Sequence, residues 1–177
     1  TDPFGISDAP EYVGERLTPA NLVGLLLNTK AASQTISGNL EAAYKTYQRA
    51  YTLFPSADIS LNLGETAVLL GNVTLARQLF AQTIRLDSKG ATAHERLGEL
   101  SFVDNDYNSA ETHFMHALEL CSTNGLLYAK YGETLFALNR KEHAAVFFRR
   151  ARELEPNNKE LCAGIERYLA ECTSRNR

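Results

Sequence analysis

GLLYAKYGETLFALNRKEHAAVFFRRARELEPNN, residues 125–158, is the unit from which the rest of the chain is read. Two stretches with helical periodicity flank a break at Asn139. The first carries Tyr128, Tyr131 and Gly132; the second carries Ala144, Phe148 and Ala151, with Pro156 beyond its end. Earlier copies lie at a constant distance. Gly132 is preceded by Gly98 and Gly64, Ala144 by Ala110 and Ala76, and Phe148 by Phe114 and Phe80, every step being 34 residues. Three ladders in register at one period mark an array of helix–turn–helix repeats, each burying its apolar face by stacking on its neighbours.

The ladder residues also have a chemical logic. A glycine inside an exposed helix costs about 1 kcal/mol relative to alanine, so Gly64, Gly98 and Gly132 at one phase call for a compensating contact. Close helix approach supplies it: Ala76, Ala110 and Ala144 keep the opposing surface small, and Phe80, Phe114 and Phe148 fill the space between helices. These residues match the tetratricopeptide repeat pattern, and the chain resembles that family from about residue 24 to 158. The resemblance implies an all-α, right-handed α-solenoid of four repeats with a C-terminal capping helix. It also implies a concave groove, lined by the first helix of each repeat, that takes peptides.

The expected divisions are an N-terminal arm over 1–17, repeats over 18–158 and a capping helix with tail over 159–177. The arm holds two of the five prolines, and its apolar residues show no sustained period, so it reads as flexible and irregular. Its Asp2-Pro3-Phe4 resembles peptides that bind clathrin-adaptor appendages, while Phe4 and Tyr12 would cover an apolar end of the array. Thr18-Pro19 is a helix start, a capping hydroxyl followed by a proline at the first helical position. The repeats fall at about 24–56, 57–90, 91–124 and 125–158, the first helix beginning near 18. The first repeat is the least typical: Ala31 replaces the glycine, Lys30 the apolar residue before it, and the step to the next repeat is 33. Ser88 and Ser122 stand at proline positions. Asn39, Asn72, Asn105 and Asn139 mark the bends between paired helices, where a short polar side chain caps the following helix. The last helix places Leu161, Ile165, Leu169 and Cys172 on one side and covers the apolar end of the array.

Candidate binding residues follow from the groove that the resemblance implies. Position six of successive repeats carries Asn62, Arg96 and Lys130, position nine Glu65, Glu99 and Glu133, and position twelve Val68, Phe102 and Phe136. The stripe has alternating charge beside an apolar floor. Two readings compete for it. Arg96 with Glu99 and Lys130 with Glu133 are helix-surface pairs at i,i+3, or the cations and Asn62 meet a partner's carboxylate or backbone while Phe102 and Phe136 receive its apolar side chains. One subgroup of the resembled family, the co-chaperones that clamp the C-terminal carboxylate of Hsp70 and Hsp90, uses Lys and Asn in its first repeat, Asn in the second, and Lys and Arg in the third. Asn62 and Arg96 fit that pattern, whereas Asn28, Ala32 and Thr92 stand at the other sites, leaving the clamp two cations short.

Other function classes find little support. A formal charge of −3 on 177 residues neither recruits nucleic acid nor marks an acidic disordered chain. Arg140, Lys141, Arg149, Arg150 and Arg152 make the fourth repeat locally basic, a solvated face or a site for an acidic segment, but no aromatic stripe accompanies them. Cys121, Cys162 and Cys172 lack a CxxC pair, as reduced thiols of a cytoplasmic protein would. The Asn72-Val73-Thr74 sequon lies in a turn and would accept a glycan only in a secretory compartment. His113 and His116 share a face with Glu119, but a chance pairing is expected, so no metal or other cofactor is assigned. No membrane-spanning run or signal peptide is visible, and without an initiator Met the chain reads as processed or excised from a longer protein. No Gly-rich phosphate loop, GxSxG or HExxH occurs, and no enzyme activity is expected. Phe147, beside core Phe148, is a candidate for contact with a neighbouring element or another chain. The expected function is an adaptor or subunit that binds a peptide or protein segment in the groove, the alternative being a chaperone or co-chaperone docking module. Partners are proteins, including self-association through the atypical first repeat.

Overall fold

A computed structural model describes residues 18–173. The N-terminal arm, with Asp2-Pro3-Phe4 and Tyr12, and residues 174–177 of the tail lie outside the described residues. Regular structure among the described residues is helical: α1 (Pro19–Ile36), α2 (Leu40–Leu53), α3 (Ala57–Leu69), α4 (Val73–Leu86), α5 (Ala91–Val103), α6 (Tyr107–Leu120), α7 (Gly125–Ala137), α8 (Lys141–Leu154) and α9 (Lys159–Thr173). The fold is all-α and of the solenoid class. It divides into two compact units, Thr1–Ala93 and His94–Arg177, with the division inside α5.

In the first unit α1 packs on α2 and α3, α2 on α3, and α3 on α4. The ladder residues meet there: a Cβ built at Gly64 would lie 2.7 Å from the Phe80 ring, and Ala76 and Phe80 are fully buried. The atypical first repeat keeps the same contact in altered form. Ala31 and Tyr47 stand where the others have glycine and phenylalanine, and both are buried. The Tyr47 hydroxyl gains a hydrogen bond with the Thr35 side chain, while burial pushes its pKa up. Along α1, Leu22, Val23, Leu25 and Leu26 remain exposed.

In the second unit α6 packs on α7, α7 on α8, and α8 on α9. Gly98 and Gly132 face Phe114 and Phe148, a Cβ at either coming within 2.8 Å of the ring. The core gathers Ala110, Phe114, Leu127, Leu135, Ala144 and Phe148 with Ile165 of α9. Tyr168 of α9 stacks on Phe148 at 4.9 Å between centroids and meets Phe136 edge-on at 5.1 Å. The last helix therefore covers the apolar face of the fourth repeat.

The bends inside the four repeats share one device, and it corrects the expected role of Asn39, Asn105 and Asn139 while keeping that of Asn72. Gly38, Gly71, Asn105 and Asn139 all have positive φ, 78°, 79°, 61° and 61°. Each closes its first helix with the paired backbone bonds of a left-handed C-terminal cap: Gly38 N–H to Thr35 O and Asn39 N–H to Gln34 O, repeated as Asn139 to Phe136 and Arg140 to Leu135. The residue after it caps the next helix. Asn72 and Asp106 accept from Leu75 and Ser109 N–H at 3.2 Å, whereas Asn39 makes no side-chain cap and Arg140 has no acceptor to offer. Asn105 and Asn139 thus serve the preceding helix, because asparagine tolerates the left-handed conformation that other L-residues resist. An Asn139→Gly substitution should raise stability by a few tenths to about 1 kcal/mol, and Asn139→Val should lower it by roughly 1–2 kcal/mol. Urea midpoints of the three chains measure both.

Candidate partner-binding faces

Within each unit, first helices one repeat apart lie side by side, α1 with α3 and α5 with α7. In the first unit, Asn62 of α3 donates through Nδ2 to Asn28 Oδ1 of α1 at 3.1 Å, a pair 34 residues apart. Tyr47 of α2 feels the charge of Glu65, whose neighbouring turn is Asn62. In the second unit, Lys130 Nζ of α7 reaches Glu95 Oε1 of α5 at 2.6 Å and also bonds to Glu99. Arg96 bonds to Glu99 at 2.9 Å.

One expected pairing is thereby replaced. Arg96 and Glu99 form the i,i+3 pair on α5, but Lys130 turns to the neighbouring helix instead of Glu133 on its own. The reason is local density of charge. Two carboxylates on α5 outweigh one at i+3, and Lys130 sits 20% exposed between them. Burial pushes the Glu99 carboxyl up, but the bonds from Lys130 and Arg96 outweigh it and hold the group below its ordinary value. Glu133 is pushed up by burial, with only the charge of Lys130 pulling back.

The apolar floor is also partly engaged. Phe102 meets Tyr107 edge-on at 5.3 Å, and Phe136 lies between Tyr168 of α9 and the Lys141 ammonium, 4.7 Å above its ring. Phe147 finds a neighbouring element: it packs edge-on against Tyr131 of α7 at 4.6 Å and stacks with Tyr128. Arg140 of the basic fourth repeat pairs with Glu111, and Arg150 with Glu153. Among the described residues no three His, Cys, Asp or Glu side chains are placed to hold a metal ion.

Glu95 and Tyr168 were missed as neighbours of the candidate site. Glu95 was legible in principle, since one 34-residue period carries Arg96 onto Lys130 and so brings residue 95 beside it. Tyr168 carried no such signal, because α9 breaks the period. Replacing Lys130 by Met should destabilise the second unit by roughly 1–3 kcal/mol, since Glu95 and Glu99 lose their shared cation in a half-buried site. Glu99→Gln in the same background should recover part of that loss, as read from urea midpoints of the two variants.

Stacked helix pairs with matched faces on neighbouring first helices define a helical-repeat protein of the kind that serves as a protein-interaction scaffold. The chain belongs to the tetratricopeptide repeat family: its sequence pattern matches residues 37–91, 61–124 and 127–158. No curated protein matches the chain at a significant level. Among solved structures, MamA of AMB-1 shares the fold with a TM-score of 0.71 at 21% identity, over 86% of this chain and 81% of that one. PilF of Pseudomonas aeruginosa superimposes with a TM-score of 0.77 at 16% identity, over 87% of this chain and 71% of that one. MamA of MSR-1 gives 0.69 at 21%, over 84% of each. No helix among the described residues is long and apolar enough to cross a membrane.

Proposed function

We propose that the chain is an adaptor or an assembly subunit that binds a protein segment on its first-helix faces. The contact residues would be Asn62 and Glu65 in the first unit, and Arg96, Glu99, Phe102, Lys130, Glu133 and Phe136 in the second. The observation that carries the reading is the bonding between neighbouring first helices within each unit, Asn62 to Asn28 and Lys130 to Glu95, which supports a polar face of matched repeat positions on each. Because Lys130 and Arg96 are spent on Glu95 and Glu99, the face suits a segment with free backbone groups and apolar side chains better than a bare C-terminal carboxylate. The unpaired Cys121, Cys162 and Cys172 support a reducing, cytoplasmic setting.

The test begins with affinity capture by the native chain, followed by calorimetric titration of each captured partner against native protein and an Asn62→Ala, Arg96→Gln variant of equal helicity. Loss of tenfold or more in affinity, about 1.4 kcal/mol, supports the face as the site. Equal affinity removes it. A partner peptide that loses binding only when its C-terminal carboxylate is amidated would turn the reading toward the co-chaperone alternative.

A further inference from the structure

The third repeat departs from its neighbours at one place. Where α5 meets α6, three histidines converge: His94 Nδ1 lies 3.4 Å from His113 Nδ1, and the His94 ring is 5.6 Å from that of His113 and 5.3 Å from that of His116. The 34-residue register shows what the same positions hold elsewhere. In the second repeat they are Ser60, Leu79 and Gln82, with the Ser60 hydroxyl donating to the Leu79 carbonyl at 2.9 Å. In the fourth they are Tyr128, Phe147 and Arg150, and Tyr128 stacks on Phe147 at 6.1 Å. Neither of those seams changes charge near neutral pH. The histidine seam does.

We propose that the α5–α6 seam of the third repeat is a pH-sensitive joint, closed when the His94 and His113 rings are neutral and loosened when they take up protons. An Nδ1···Nδ1 hydrogen bond needs one nitrogen to donate and the other to accept, so protonating both rings removes the acceptor. It also sets like charges within 5.6 Å of one another in a half-buried site. Charged groups near the seam lie in solvent or are engaged with one another. Glu119 of α6 is 3.2 Å from His116 but is 63% exposed, so solvent screens it. On α5, Glu95 is held by Lys130 of α7 and Arg96 by Glu99; on α6, Glu111 is held by Arg140.

The sign follows from linkage. Burial, and then the neighbouring His116, lower the His94 pKa below its ordinary 6.5. The opened seam therefore binds protons more readily than the closed one. The contribution to stability is complete above about pH 6.5 and is lost as pH falls from there toward the lowered folded value.

Hydrogen exchange of the native chain, corrected for intrinsic rates, tests the joint. Between pH 7.5 and 5.5 the amides of α5 and α6 should lose protection by about tenfold or more, while those of α7 and α8 hold theirs. A His94→Tyr, His113→Phe chain, which copies the fourth repeat's pair, should lose that selective change. If α5 and α6 lose no more protection than α7 and α8, or if the variant keeps the native response, the joint is refuted. Imidazole titration of the native chain by NMR stands independently of whether the variant folds. A His94 pKa above 6.5 refutes the proposal, and one below it supports the proposal.

Discussion

Phe148→Ala is expected to cost the second unit about 3–5 kcal/mol, the range for deleting a fully buried aromatic side chain. Phe148 has no exposed surface, lies against Gly132 on one side and stacks on Tyr168 of α9 on the other. Its removal opens a void between three helices at once, and α9 loses the ring on which its own aromatic contact rests. Since a domain of this size has about 5–15 kcal/mol in total, the fourth repeat and α9 should unfold first. Chemical denaturation read by circular dichroism gives the total. Hydrogen exchange of α9 should show the greatest loss of protection. A cost below about 1.5 kcal/mol would mean that the helices close over the gap, and the ladder phenylalanines would not be the keystones of the stack.

The glycines facing those rings are expected to reverse an ordinary rule. Replacing a helix-interior glycine by alanine normally stabilises by about 1 kcal/mol. At Gly132 a Cβ would stand 2.8 Å from the Phe148 ring, which is hemmed in and cannot swing aside. Gly132→Ala should therefore destabilise by roughly 1–2 kcal/mol, and Gly132→Val by about 3 kcal/mol, as overpacked cores do. Gly164 in α9 is the internal control, because a Cβ there meets nothing within 4 Å. Gly164→Ala should raise stability by about 1 kcal/mol. If thermal or urea unfolding moves the same way for Gly132→Ala and Gly164→Ala, close approach is not what selects glycine at this phase.

The legibility of the fold came from its period. Gly64, Gly98 and Gly132 recur with Phe80, Phe114 and Phe148 because every repeat solves one packing problem in one way, so each contact is printed three times in the chain. The turn was less legible. Asn72 and Asn139 look alike as bend residues, yet one caps the helix that follows and the other closes the helix that precedes; one 34-residue period carries Asn72 onto Asp106 and Asn105 onto Asn139, a shift of one residue that φ makes plain.

The candidate binding face divides along the same line. Its register was readable, since residues about one period apart on the first helices of one unit lie together. What those side chains do was not. Lys130 chooses between Glu133 on its own helix and Glu95 with Glu99 on the next, and that choice depends on the distance between helices. Phe136 reads as a groove floor until α9 lays Tyr168 against it.

By itself the sequence determined the helix pairs and the glycine–phenylalanine contacts inside them, because local periodicity and close-packed glycines act through neighbours at a repeating distance. Only the tertiary structure decided how charge is shared between α5 and α7, which ring α9 covers, and that His94 joins His113 and His116 at one seam. Those outcomes arise between side chains on different helices, where a difference of an ångström or two selects the partner and the repeating pattern is silent.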